Sequence, residues 1–246
     1  MEKQWVKLGR VSSTNSFISK LLAQGKLEDS LVVLADYQEA GRGQGSHSWH
    51  SREGENLLMS LLLFPAFLSA SEQFHLSRLV SLAICGTLDS LGVSAVIKWP
   101  NDILTAHGKI AGILIEHGIS GKKIKYTIVG IGLNLNQTEF PEFPVPASSV
   151  KLETGLNMEI QAVARALEQN LQDRYKDLEK GQSSILEKDC LDKFLLINHS
   201  ATYHSGKESF QGIIRGLNEY GELLVEKDGE LLSYAHGNIE MVNGDW

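Results

Sequence analysis

Cysteine is scarce: the 246-residue chain has two, Cys85 and Cys190, and neither has a Cys-x-x-Cys or His-x-Cys neighbour. A disulfide framework and a zinc site of ordinary spacing are thereby excluded, and both thiols read as small core residues within apolar helical patterns. Long apolar runs are lacking as well. The longest, 57–68, is interrupted by Ser60 and Pro65, and the opening MEKQWVKLGR holds no signal-type apolar segment. Neither stretch could span a bilayer, so a cytoplasmic chain with no membrane partner is expected. Positive charge is in deficit, with 23 Lys plus Arg against 30 Asp plus Glu and a net charge of −7. A broad phosphate-neutralising face is excluded, no nucleic acid partner is expected, and any basic site must be local.

Several familiar signatures are missing too. There is no G-x-S-x-G nucleophile elbow, no G-x-G-x-x-G and no G-x-x-x-x-G-K-[ST], so nothing points to a serine triad, a Rossmann fingerprint or a P-loop. His47 and His50 flank Trp49, but no third and fourth ligand accompanies them, and a solvated loop pair is the simpler reading.

What is present fits a soluble globular protein: 42% hydrophobic and 22% charged residues, over a length suited to one large and one small domain. Ser13-Thr14-Asn15 precedes a helical pattern with Phe17, Ile18, Leu21 and Leu22 on one face, stopped by Gly25. Residues 30–36 read as a buried strand, 41–49 as a glycine-rich loop, and 56–64 as the next strand. Ser69 and Glu72 are spaced as a capping box ahead of a helix carrying Leu76, Val80, Ile84 and Leu88. Short β-like runs follow at 95–98, 110–116 and 125–132, then a Pro-rich surface loop at 140–149 and a helical pattern from Met158 to about Leu196. Adjacent strands without intervening helices favour a mixed or antiparallel α+β sheet over a doubly wound one. After a boundary near Asn198, three or four short strands with turn signals at 218–221, 227–229 and 236–237 form a small all-β module with nothing catalytic in view.

Four segments could carry chemistry. Gly41-Arg42-Gly43-Gln44-Gly45 sets a cation between glycines whose backbone can approach an anion, although such a tripeptide also suits a turn with a solvated arginine. Lys98-Trp99-Pro100-Asn101-Asp102 puts a lysine at a strand end, where it can present a fixed charge to a phosphate or carboxylate or simply snorkel. Lys109 opens the run KIAGILIE, and Gly112 inside it suggests close approach by a ligand or another backbone. Gly130–Asn136 adds two glycines and two asparagines to an apolar strand, and Asn134 must find partners there, a purine edge being one candidate and a turn another.

Taken together and in this order, SSTN, YQEAGRG…W, KWPND, KIAGILIE and GIGLNLN resemble the biotin protein ligases, the form lacking an N-terminal DNA-binding domain. KWPND after a GRG loop is specific, whereas each motif alone is not. The resemblance covers nearly the whole chain. It implies an α+β fold with a mixed sheet flanked by helices, like class II aminoacyl-tRNA synthetases, over residues 1–198, and a small SH3-like β-barrel over 199–246. It further implies ATP-dependent activation of biotin to biotinyl-AMP and transfer to a lysine of a biotin carboxyl carrier protein, with Mg²⁺ on the phosphates and its protein ligands unassigned. Ser13, Thr14, Asn15 and Gln38 would line the biotin pocket, and Gly112 would be a substrate-binding residue. Arg42, Gly43 and Gln44 would form the covering loop, and Lys98 and Arg42 would serve the chemistry. Lys109 and Asn134 would hold the nucleotide, with Trp49 closing over the adenylate. The loop departs from the family pattern in being neutral at Gln44-Gly45-Ser46, where further basic residues are common. A lipoate or octanoate ligase of the same fold and a non-catalytic biotin-binding regulator are the alternatives, and a homodimer is left open.

Overall fold

A computed structural model describes residues 4–242. The chain runs β1 (Gln4–Val11), α1 (Thr14–Ala23), β2 (Leu31–Gln38), β3 (Leu57–Leu63), α2 (Phe74–Ser90), β4 (Val96–Lys98), β5 (Asp102–Thr105), β6 (Gly108–Ser120) and β7 (Lys123–Leu133). Helices α3 (Val150–Thr154), α4 (Ile160–Glu179) and α5 (Ser183–Asp192) follow, and then β8 (Ser200–Ser205), β9 (Glu208–Leu217), β10 (Leu223–Lys227), β11 (Glu230–Tyr234) and β12 (Glu240–Met241). The first seven strands form one sheet in the order β1-β2-β3-β7-β6-β5-β4. Only β1 and β2 pair in parallel, so the expected mixed sheet is found.

The apolar run of β2 is continuous because both of its faces are covered, as the period-two alternation of side chains requires. Val32 and Leu34 join the large core under α2, α4 and α5, while Leu31 and Val33 join a smaller cluster with Ile18 and the rest of α1. On β3, Leu57, Met59, Leu61 and Leu63 face the large core. Ser60 therefore points to the α1 side, as do Gly130 and Gly132 of β7, whose neighbours Val129, Ile131 and Leu133 face the other way. Small residues on the α1 face of the central strands leave room above the sheet, and that room is the site. The opposite face is filled: Leu61 is 1% exposed, and truncating it to Ala would cost about 2–5 kcal/mol.

Strands β8 to β12 make a second, antiparallel sheet in the order β11-β10-β9-β8-β12, consistent with an SH3-like domain. Asp228 and Gly229 both have positive φ (51° and 83°) at the β10–β11 turn, the conformation a two-residue type I′ hairpin demands. The small sheet shares the main core through Tyr203, Phe210, Ile214 and Val225. No helix among the described residues is long and apolar enough to cross a membrane.

Several expectations are corrected. Strand β1 went unread because it is an edge strand with no buried side chain. Residues 99–101 turn, and Asp102 then opens β5, paired with Lys98 across the β4–β5 ladder. The capping box of Ser69 and Glu72 heads a short 3₁₀ turn ahead of α2 rather than α2 itself. The long helical pattern is two helices, since Gly181 (φ 81°) ends α4, and the C-terminal module has five strands rather than three or four.

Candidate active site

The N-terminus of α1 abuts the α1 face of β2, β3 and β7. Ser13, Thr14 and Asn15 are 4%, 3% and 3% exposed, and the hydroxyl of Ser60 beneath them is fully buried. Burial obliges these polar groups to pair. The Thr14 backbone N–H and hydroxyl donate to Gln38 Oε1 at 2.8 and 3.0 Å, and Ser60 Oγ lies 2.6 Å from both Thr14 Oγ1 and Asn15 Oδ1. Asn15 Nδ2 donates to Glu116 Oε2 at 2.7 Å and to the Leu114 carbonyl at 3.3 Å. Gly130 lies directly under the Asn15 amide, and a Cβ there would press into it.

The 41–49 loop folds back on itself as an irregular hairpin. Trp49 N–H donates to the Gly41 carbonyl at 2.9 Å, and Gly43 N–H to the His47 carbonyl at 2.8 Å. A Cβ on Gly41 would collide with the Trp49 carbonyl at 2.5 Å, so this close approach requires glycine. The Trp49 indole lies on Gly112 and Gly132, which are cross-strand partners on β6 and β7. Lys109 Nζ sits 5.7 Å from the Trp49 ring centroid, in cation–π range. Trp49 Nε1 and Gln44 Oε1 are both buried without a hydrogen-bond partner, a pairing debt that a ligand in the cleft could discharge. One Arg42 nitrogen, Nη2, reaches both oxygens of Glu116, at 3.0 and 2.8 Å.

Lys98 ends β4, and Lys109 near the start of β6 pairs with Asp102 at 2.6 Å. Burial pulls the Lys98 ammonium below the usual lysine range; Asp102 and Glu240 pull it back up, and Lys109 pushes it further down. Trp99 and Asn101 of the same motif tie the site to its surroundings. Trp99 Nε1 donates to the Gly221 carbonyl at 2.9 Å and its ring meets His236, which braces the two sheets together, while Asn101 Nδ2 holds the Ile113 carbonyl at 2.9 Å.

All the residues singled out from the sequence except Asn134 line one cleft of about 650 Å³. Asn134 is 3% exposed, and its amide donates to the Ser148 carbonyl at 2.9 Å. Its Oδ1 is buried without a partner. Sequence reasoning missed Ser60, whose signal was a lone polar residue within an apolar strand, and Glu116, which had no signal beyond its place at the end of KIAGILIE. It also missed the small sheet's share: His236 and Glu240 line the same cleft, so the module that looked bland closes the site. Among the described residues no group of three His, Cys, Asp or Glu could hold a metal ion; His50 instead contacts Ser48 Oγ at 2.9 Å.

The fold and site together define an α+β protein in which a buried neutral hydrogen-bonding network and two lysines line one cleft. The chain belongs to the Biotin/lipoate A/B protein ligase family, whose model matches residues 8–134. It is 30% identical to the bifunctional ligase/repressor BirA of Escherichia coli, with 94% of this chain and 72% of that protein aligned, and 32% identical to BirA of Bacillus subtilis over 89% and 69%. The biotin–[acetyl-CoA-carboxylase] ligase of Mycobacterium tuberculosis is 26% identical over 96% and 89%. The fold matches that of biotin protein ligase from Aquifex aeolicus in complex with biotin and ATP, with TM-score 0.81, 24% identity and coverage of 98% and 99%.

Proposed function

We propose that the protein activates biotin with ATP to biotinyl-AMP and transfers the biotinyl group to a lysine of a biotin carboxyl carrier protein. The observation that carries this reading is one cleft in which the neutral network of Thr14, Asn15, Gln38 and Ser60 opens toward Lys98 and Lys109. A cyclic urea bearing a carboxylate side chain needs this combination: placed donors and acceptors at one end and cations at the other.

Joining a carboxylate to an amine requires activation. The carboxylate oxygen attacks the α-phosphorus of ATP, the bond to the bridging oxygen breaks, and pyrophosphate leaves. Both reactants are anionic, so the barrier is mostly positioning and charge neutralisation. Lys98, desolvated at its strand end, would meet charge on the carboxylate and α-phosphate, and Lys109 would serve the nucleotide. The Oδ1 of Asn134 is an unpartnered acceptor, but it is buried outside the cleft, so it would reach an adenine amino group only if residues 134–148 shift. In the second step the acceptor amine attacks the acyl carbon and AMP leaves, with no covalent enzyme intermediate. Mg²⁺ is the expected companion of the phosphates. The donor set does not form a protein cage, but an ion carried in on phosphate needs only one or two carboxylates; Asp102 in the cleft would help hold it, and the ion would supply positive charge to the phosphates. We take residues 1–198 as the catalytic unit and 199–246 as the barrel that closes it.

Lipoate activation uses the same chemistry on a ligand with no urea, which would leave the Thr14–Asn15–Gln38 network unpaired at a cost of several orders of magnitude in specificity. The test is ATP–pyrophosphate exchange with each acid. Biotin-dependent exchange, with lipoate at background, is expected; equal rates would overturn the assignment of substrate.

A further inference from the structure

The Arg42 guanidinium, at the edge of the cleft, makes its ion pair beneath the loop. Its partner is Glu116 on β6, which does not line the main cleft but a neighbouring recess under residues 40–48. The same carboxylate accepts from Asn15 Nδ2 at 2.7 Å. We propose that Glu116 is a positioning residue for the ligand pocket: one anion seats the covering loop through Arg42 and fixes the amide of Asn15 on the pocket side.

Three observations support this. A carboxylate accepts hydrogen bonds and cannot donate them, so it must face the Asn15 nitrogen; Leu114's carbonyl makes the same demand at 3.3 Å. That turns Oδ1 toward Ser60 and joins Glu116 to the chain Asn15–Ser60–Thr14–Gln38. Second, the loop is otherwise tied down by few contacts: its internal backbone bonds hold its shape, and Trp49 rests on glycines. Third, Arg42 and Glu116 side chains are 43% and 34% exposed, so the pair alone is a weak tie. The shared bond to Asn15 makes it part of a partly buried, charge-assisted network. Arg42 thus serves the loop's geometry, while charge neutralisation in the cleft falls to Lys98 and Lys109.

This inference rests on the biotin-ligase reading, but half of its test does not need it. In the ligand-free protein, amide exchange within 41–49 should quicken by about fivefold in Glu116→Gln, which keeps shape and removes charge. Arg42→Ala should do the same, and the double variant should be no faster than Arg42→Ala alone. In pyrophosphate exchange, Glu116→Gln should raise KM for biotin by about tenfold while kcat at saturating biotin falls by less than about threefold, a loss of binding geometry rather than of chemistry. Glu116→Asp, which restores the charge one methylene short, should recover part of the KM. If Glu116→Gln does not fold, Arg42→Ala and Glu116→Asp carry the loop and KM readouts in its place. Unchanged loop exchange, unchanged KM for biotin, or additive effects in the Arg42–Glu116 pair would overturn the proposal. A wild-type protein without biotin-dependent exchange would instead overturn the functional reading and leave the loop measurement standing.

Discussion

On the α1 side of the cleft, Ser13, Thr14, Asn15 and Ser60 are all less than 5% exposed, and Asn15, Ser60, Thr14 and Gln38 form one hydrogen-bonded chain. On the loop side, Arg42 and residues 45–48 face solvent, and the contacts are a few backbone bonds, one exposed ion pair and an indole lying on two glycines. The first wall is built before ligand arrives; the second is held loosely enough to move. A preorganised wall suits a rigid, uncharged ring, whose polar groups must be met without reorganisation. A movable wall suits a reacting centre that must admit two anions, exclude water and then release product.

The contrast can be broken most severely where charge meets the rigid wall. Lys98→Ala should lower single-turnover adenylate formation by about two orders of magnitude or more, comparable to losing one preorganised donor; near-normal formation would remove Lys98 from the mechanism. Ser60→Ala removes a buried hydroxyl beneath Thr14 and Asn15. It should weaken biotin binding by about tenfold and stability by about 1–3 kcal/mol, read by titration calorimetry and denaturant unfolding. On the movable wall, amide exchange in residues 41–49 should slow by severalfold when biotin and a non-hydrolysable nucleotide are added, while residues 13–15 change little because they are already protected.

A smaller effect concerns Gln44, whose buried Oε1 lacks a partner. A charge-assisted contact to the adenylate phosphate is stronger than a neutral one by about 1 kcal/mol, so Gln44→Arg should slow release of preformed adenylate by roughly fivefold, less at high salt. An unchanged release rate would show that this side chain does not face the phosphate. The smallest effect is one of pH. Lys98 must be protonated to act, and Glu240 from the small sheet helps keep it so. Glu240→Gln removes a stabilising anion, lowers the Lys98 pKa further, and should move the alkaline limb of the adenylation profile to lower pH. An unmoved limb would place Glu240 outside the reach of Lys98.

How much of this could be read in advance follows from what each residue touches. The central strands, α1 and the Asp228-Gly229 hairpin declared themselves through apolar period and turn chemistry, which are local. The cations and glycines of the site were visible as motifs because they break those periods. Glu116 and the small sheet's His236 and Glu240 were not, because an acidic residue at a strand end looks the same whether it faces water or a distant arginine. Their roles come from the pairing of β6 with β7 and from the docking of Trp99 on Gly221, which are tertiary facts. Ser60 lies between the two cases: its polarity showed, its partners did not.

The most direct test of the account is the intact mass of a purified biotin carboxyl carrier domain after incubation with the protein, ATP and Mg²⁺, with biotin or lipoate supplied in parallel. A rigid urea-binding wall joined to two lysines predicts a carrier that gains one biotinyl group and no lipoyl group, and gains nothing when Lys98→Ala replaces the wild type on the same timescale. A carrier left unmodified by the wild type, or modified equally with lipoate, would contradict it.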